Sequence, residues 1–165
     1  MKMRTITGRH FDPTEIEPSD IDLLDIAHAL SRLCRYAGHV PGFYSVAQHS
    51  VYVSKMLERR NPDDVELQLL GLLHDASEAY LGDVIRPLKL ALPDYQAIEA
   101  NVEFAIGERF DLVVTDANRM EVKYCDDEMI TVEAIIFRDF NDGWRPDRAK
   151  HEFTSRYFDL VKIRD

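Results

Sequence analysis

The sequence predicts an all-α fold, on three observations. Apolar residues recur at helical spacing along most of the 165 residues, period-two alternation is nearly absent, and short breaks containing Gly and Pro separate the helical stretches. The length suits one domain, residues 1–165, folded as a compact helical bundle, and no repeat, low-complexity run or linker divides it.

Residues 1–18 read as an irregular segment, with turn signals at Gly8 and Asp12-Pro13. Ser19 or Asp20 caps a first helix reaching about Arg35, with Ile26, Leu30 and Leu33 on one face. Gly38 and Pro41-Gly42 end that stretch. Ser45 caps a second helix that Asn61-Pro62 stops, with Val46, Ser50, Val53 and Leu57 as its apolar side and His49 beside them. A third helix, about 63–77, is apolar at Leu67, Leu69, Leu70, Leu72 and Leu73 and closes on His74-Asp75. Residues 80–93 read mostly as loop. Helices then cover about 94–110, with Ile98, Val102, Ala105 and Ile106 inward, and 116–137, with Val122, Met129, Val132 and Ile136 inward. Asn141-Asp142-Gly143 is a turn before a last helix, about 148–161.

Composition narrows the function. Hydrophobic residues at 45% and charged residues at 30% are those of a soluble globular protein, and no apolar run approaches the ~20 residues that span a bilayer. No apolar stretch follows the basic N-terminus, so no signal peptide is expected. Cys34 and Cys125 fall in expected helices and form no CxxC pair, which fits a reducing, cytoplasmic setting. A net charge of −10 with no basic run excludes a nucleic-acid polymer as partner, and no membrane partner is expected. A small phosphate ester stays compatible, because a cation and a few placed basic residues offset global repulsion locally.

The chemistry concentrates in three places. His74-Asp75 ends a nearly all-apolar helix, where groups of this kind are costly unless a metal or hydrogen bonds compensate. His49 lies one turn into the second helix. Asp126 and Asp127, in Lys123-Tyr124-Cys125-Asp126-Asp127-Glu128, lie on a helix whose other face is apolar. Two imidazoles and two carboxylates from three helices make a mixed N/O site. That donor set suits Mn, Fe, Co, Ni or Zn better than Ca and leaves room for water and a phosphate oxygen.

The order His, His-Asp, Asp on successive helices resembles the HD-domain metal phosphohydrolases over about residues 25–134. The segment His74 to Lys89, HDASEAYLGDVIRPLK, is similar to that of bacterial 5′-deoxynucleotidases of the YfbR type. DIAHALSRLCRYAGHV, Asp25 to Val40, with FYSVAQHS, Phe43 to Ser50, looks closer to short phage and bacterial members, among them dATP triphosphohydrolases of the DatZ type.

This resemblance implies one divalent transition metal on His49, His74, Asp75 and Asp126, with an auxiliary divalent ion on the substrate phosphates as an option. It favours Asp126 over Asp127, because the family ligand directly follows Lys-x-small. Glu78 then orients or deprotonates the attacking water, and Asp83 protonates the leaving oxygen or positions the water. Arg35 and Lys89 neutralise the phosphate. Tyr36 stacks on a base or packs against a deoxyribose, with Ala37 and Pro87 at the base end. His28 and His39 are lesser candidates for phosphate contact.

The implied activity is a deoxynucleoside triphosphate triphosphohydrolase acting on dATP, releasing deoxyadenosine and triphosphate. The alternatives are a 5′-deoxynucleotidase acting on dNMPs and a catalytically inactive metal- and nucleotide-binding module. A homo-oligomer is implied, of unstated number.

Overall fold

The computed structural model describes residues 2–139 and 143–165, with the side chains of 138 and 139 left aside; the turn expected at Asn141-Asp142-Gly143 therefore falls partly outside the described residues. The chain is mostly helical, with one small exception to the all-α expectation. In the segment expected to be irregular, β1 (Met3–Arg4) pairs antiparallel with β2 (His10–Phe11). Gly8, at φ 92°, turns between them in a conformation that side chains with a Cβ rarely adopt. Thr7 donates from its backbone N and its hydroxyl to Asp25, at 2.9 and 2.7 Å, so this buried carboxylate is satisfied.

Helix α1 (Leu23–Leu30) is shorter than its sequence pattern. Asp22, rather than Ser19 or Asp20, caps it by accepting from the Leu24 N–H, because Pro18–Asp20 forms a separate 3-10 turn. The helix stops at Leu30, and Cys34 pairs with Ser45 in an isolated antiparallel bridge instead of continuing the helix. Helix α2 (Val46–Arg60) begins as expected, with Ser45 accepting from the Gln48 N–H.

Helix α3 (Val65–Leu73) is capped by Asp64, and a run of turns over 74–77 leads into the short α4 (Glu78–Leu81). The stretch expected as loop thus holds α4 and α5 (Arg86–Leu90), the latter started by Pro87 in its first turn. Helices α6 (Pro93–Phe110), α7 (Asp116–Asp139) and α8 (Pro146–Arg164) complete the chain.

Helix α2 lies at the centre, against α3, α7 and α8, while α1 packs on α8 and α4. Ile26, Leu30, Val51, Leu69, Leu72, Phe153 and Leu160 are fully buried in the main core. A second cluster joins α2 and α3 to α7 through Val53, Leu57, Leu67, Leu70, Val122, Cys125 and Met129. Gly71 sets the approach of α3 to α2. A Cβ there would lie 2.2 Å from Leu57 Cδ1, so only glycine permits this contact without displacing Leu57. The close crossing brings the end of α3, with His74, alongside His49 on α2. Trp144 is buried with its ring edge-on to Tyr52, as packing rather than recognition requires. Among the described residues, no helix is long and apolar enough to cross a membrane.

Candidate metal centre

His49 is fully buried on α2, because it sits beside the stripe that α2 turns inward. His74 sits at the C-cap of α3, and Asp75 follows in the turn. Asp126 reaches the same place from the middle of α7. His49, His74 and Asp126 each offer one ligand atom, all within 4.8 Å of one another, a group that can hold a metal ion. His49 Nε2 is 3.2 Å from Asp126 Oδ1, and His74 Nε2 is 3.9 Å from the same oxygen. Asp75 Oδ2 lies 3.2 Å from His74 Nε2 and 3.7 Å from His49 Nε2, on the side of Arg35. Asp127, the other candidate acid, points away. It is half exposed and pairs with Lys123 and with Arg86 at 3.2 Å.

The hydrogen bonds on the far side of each ring matter most. His74 Nδ1 is 2.8 Å from the Gly71 carbonyl oxygen, and His49 Nδ1 is 2.6 Å from Glu133 Oε1. Each neutral ring then donates from Nδ1 and keeps its lone pair on Nε2. Both Nε2 atoms are buried and have no hydrogen-bond partner. Two buried nitrogen lone pairs facing two carboxylates, without donors, are costly unless a cation completes the site. The residues present therefore fit a metal, on observations independent of any likeness to other proteins.

The electrostatics agree. Burial pushes Asp75 and Asp126 towards the neutral form, yet both are held well below the usual carboxylate range. For Asp75 the opposing groups are His74, His49 and Arg35; for Asp126 they are His49 and His74. Burial disfavours the imidazolium of His74, but Asp75 and then Asp126 outweigh it and raise its pKa. Protons and a metal compete for that nitrogen, so metal uptake weakens as pH falls.

Glu133 was not singled out by the sequence reading, which turned Val132 inward; Val132 is instead exposed and Glu133 is fully buried. Its carboxylate accepts from His49 and from the Tyr36 hydroxyl, and it lies 3.4 Å from Arg35 Nε. Arg35 reaches Asp75 through Nη1 at 3.4 Å, so one guanidinium spans Glu133 and Asp75. Its position comes from local pairing: the Arg35 N–H donates to the Tyr44 carbonyl at 3.0 Å, next to the start of α2. A detectable signal existed, since Glu133 follows Asp126 by seven residues and so shares its helix face.

Other expected site residues are distributed differently. Tyr36 and Ala37 occupy a turn at φ 56° and 50° rather than a helix end. The Tyr36 hydroxyl is committed to Glu133 and its ring packs edge-on to Phe137, 5.6 Å away. Ala37 and Pro87 are exposed. Lys89 is engaged by Glu99, 2.6 Å from Nζ, so it is not poised as an open phosphate ligand. His28 is half-buried on α1, near the charges of Arg32 and Lys150, and His39 is exposed. Cys34 lies in the extended pairing with Ser45, not in a helix, and both cysteines are free.

Glu78 is buried at the start of α4, and its Oε2 has no partner. Burial, then Asp75 and Asp83, push its carboxyl up to about 10. Asp83 is also raised, by burial first. The unfolded chain releases the Glu78 proton near the ordinary value of 4.5, whereas the metal-free fold keeps it to about 10. Folding therefore takes up a proton between those limits, and this group's contribution to stability falls as pH rises through that window. Glu78→Gln should remove this decline, so the metal-free variant should gain stability over the native protein at pH 9 relative to pH 5. Urea midpoints in a chelating buffer measure it, and parallel pH profiles for the two proteins would reject the argument.

No known family profile matches the chain. It is 40% identical over 131 residues to the uncharacterized protein YfdR of Escherichia coli (strain K12), covering 79% of this chain and 69% of that protein. It is 35% identical over 146 residues to an uncharacterized protein of Rhodobacter capsulatus, covering 85% of this chain and 74% of that one. At this identity and coverage, the chain belongs to the family of YfdR.

Proposed function

We propose that the protein is a metal-dependent phosphohydrolase of deoxynucleotides, with an HD-type centre built from His49, His74, Asp75 and Asp126. The observation that carries the reading is the pair of buried, partnerless imidazole Nε2 atoms facing the Asp75 and Asp126 carboxylates. The donor set favours a divalent transition metal such as Mn, Co, Zn, Fe or Ni. When bound, such a cation supplies Lewis-acid polarisation of phosphoryl oxygens and makes a water molecule more acidic.

The chain's own residues supply the rest. Arg35, held between Asp75 and Glu133, presents fixed positive charge to a phosphate at the centre. Glu78 holds a proton that it can donate to a leaving oxygen. A cation on Asp75 offsets part of the repulsion that raises Glu78 and brings its pKa nearer neutrality, where acid–base exchange is efficient. Asp83, beside it, positions the water or shares the proton.

Within this class, the resemblance of residues 25–50 to dATP triphosphohydrolases makes dATP the proposed substrate, with deoxyadenosine and triphosphate as products. The protein would act in the cytoplasm as a homo-oligomer. Purified protein with Mn²⁺ or Co²⁺, offered a panel of dNTPs and dNMPs, tests this by chromatography of products. Triphosphate from dATP is the expected result. Orthophosphate from dNMPs alone would make the protein a 5′-deoxynucleotidase. Binding without turnover would make it an inactive metal- and nucleotide-binding module.

A further inference from the structure

A groove of about 1140 Å³ lies between α6, α7 and the end of α3, and His74 and Asp126 are among the residues that line it. It is far larger than a phosphate chain alone requires and suits an organic ligand extending from the metal centre. Leu73, Ile106 and Val122 contribute to an apolar lining. Phe104 from α6 and Met120 from α7 also line it, and they are 70% and 74% exposed. Both side chains are therefore free to contact a ligand in the groove. Arg119 and Asn118 add hydrogen-bonding groups to the same groove.

The other expected location for a base is weaker. The Tyr36 hydroxyl is committed to Glu133 and its ring packs edge-on to Phe137. We propose that the α6–α7 groove binds the nucleoside moiety of the substrate, with Phe104 and Met120 contacting the base or deoxyribose and Arg119 contacting the base edge, while the phosphates lie beside His74 and Asp126. This proposal rests on the phosphohydrolase reading. Its occupant is a flat heteroaromatic ring joined to a sugar, for which an apolar lining with a few polar groups is the matching chemistry.

Phe104→Ala and Met120→Ala remove exposed side chains, so the fold should tolerate them. Steady-state kinetics on the deoxynucleotide that the native protein turns over should show KM rising about tenfold in each variant, with kcat nearly unchanged. Inhibition by inorganic tripolyphosphate, which has no nucleoside, should be unaffected. Deoxyadenosine alone should raise the melting temperature of the native protein and not of Phe104→Ala. Unchanged KM in both variants, with turnover intact, overturns the groove assignment and leaves the phosphohydrolase reading standing. A fall in mass by light scattering in either variant overturns it in favour of a second copy of the chain in the groove. No turnover of any deoxynucleotide by the native protein overturns the functional reading and this proposal together.

Discussion

Asp75→Asn is expected to abolish the proposed turnover while the helical fold persists. The Asp75 carboxylate lies 3.4 Å from Arg35 Nη1 and within 3.7 Å of the Nε2 atoms of His74 and His49, and this surrounding holds it ionised despite burial. Asparagine preserves the shape and leaves an amide oxygen that can still accept from Arg35. It removes the negative charge, so a cation at the centre loses half of its carboxylate compensation and Arg35 loses one of its two acidic partners. The expected fall is about a thousandfold or more in kcat, the size seen when a principal electrostatic element of a site is lost. Product release measured beside far-ultraviolet circular dichroism checks both halves. Activity equal to the native protein would remove Asp75 from the site.

Glu133→Ala is expected to be the most destabilising single change near the centre, and Glu133→Gln separates its two effects. Glu133 is fully buried and is the common acceptor for His49, Tyr36 and Arg35. Alanine leaves a largely buried guanidinium and a buried imidazole N–H without it, at a cost of about 3–5 kcal/mol. It also releases the turn at Tyr36 and Ala37, whose left-handed backbone is tied down through the Tyr36 hydroxyl. Glutamine keeps the shape and one acceptor and should restore much of that stability. It weakens the charged contact that orients His49, so metal affinity should still fall about 10–100-fold. Urea midpoints and metal titrations measure the two effects. Native-like stability of Glu133→Ala would show that the three contacts do not hold the site together.

The helical character was legible because its signals are local. Ser45 caps α2 as its position suggests, and the stripe Val46, Ser50, Val53 and Leu57 is buried, which places His49 inside. The chemistry-bearing residues were legible by type, since His74-Asp75 at the end of an apolar helix is unusual. Errors arose where tertiary contact overrode local pattern. Residues 33–35 have a helical look, but pairing with Tyr44, Ser45 and Val46 draws Leu33 and Cys34 out of the helix and brings Arg35 to the candidate metal centre. Residues 80–93 carry Gly and Pro, yet prolines at the starts of α5 and α6 initiate helices rather than prevent them. Val132 and Glu133 exchange sides because α7 turns a polar residue inward where His49 and Arg35 satisfy it. The seven-residue spacing from Asp126 places Glu133 on that face, but the reason for burying an acid there lies in its partners His49, Tyr36 and Arg35.

Four side chains, two of them adjacent at the end of α3, are proposed to enclose one cation. Metal analysis of purified native protein and His49→Ala, each exposed to Mn²⁺ or Co²⁺ and dialysed, tests it most directly. About one ion per native chain and a large loss in the variant are expected. Equal metal content in the two proteins, or none in either, would contradict it.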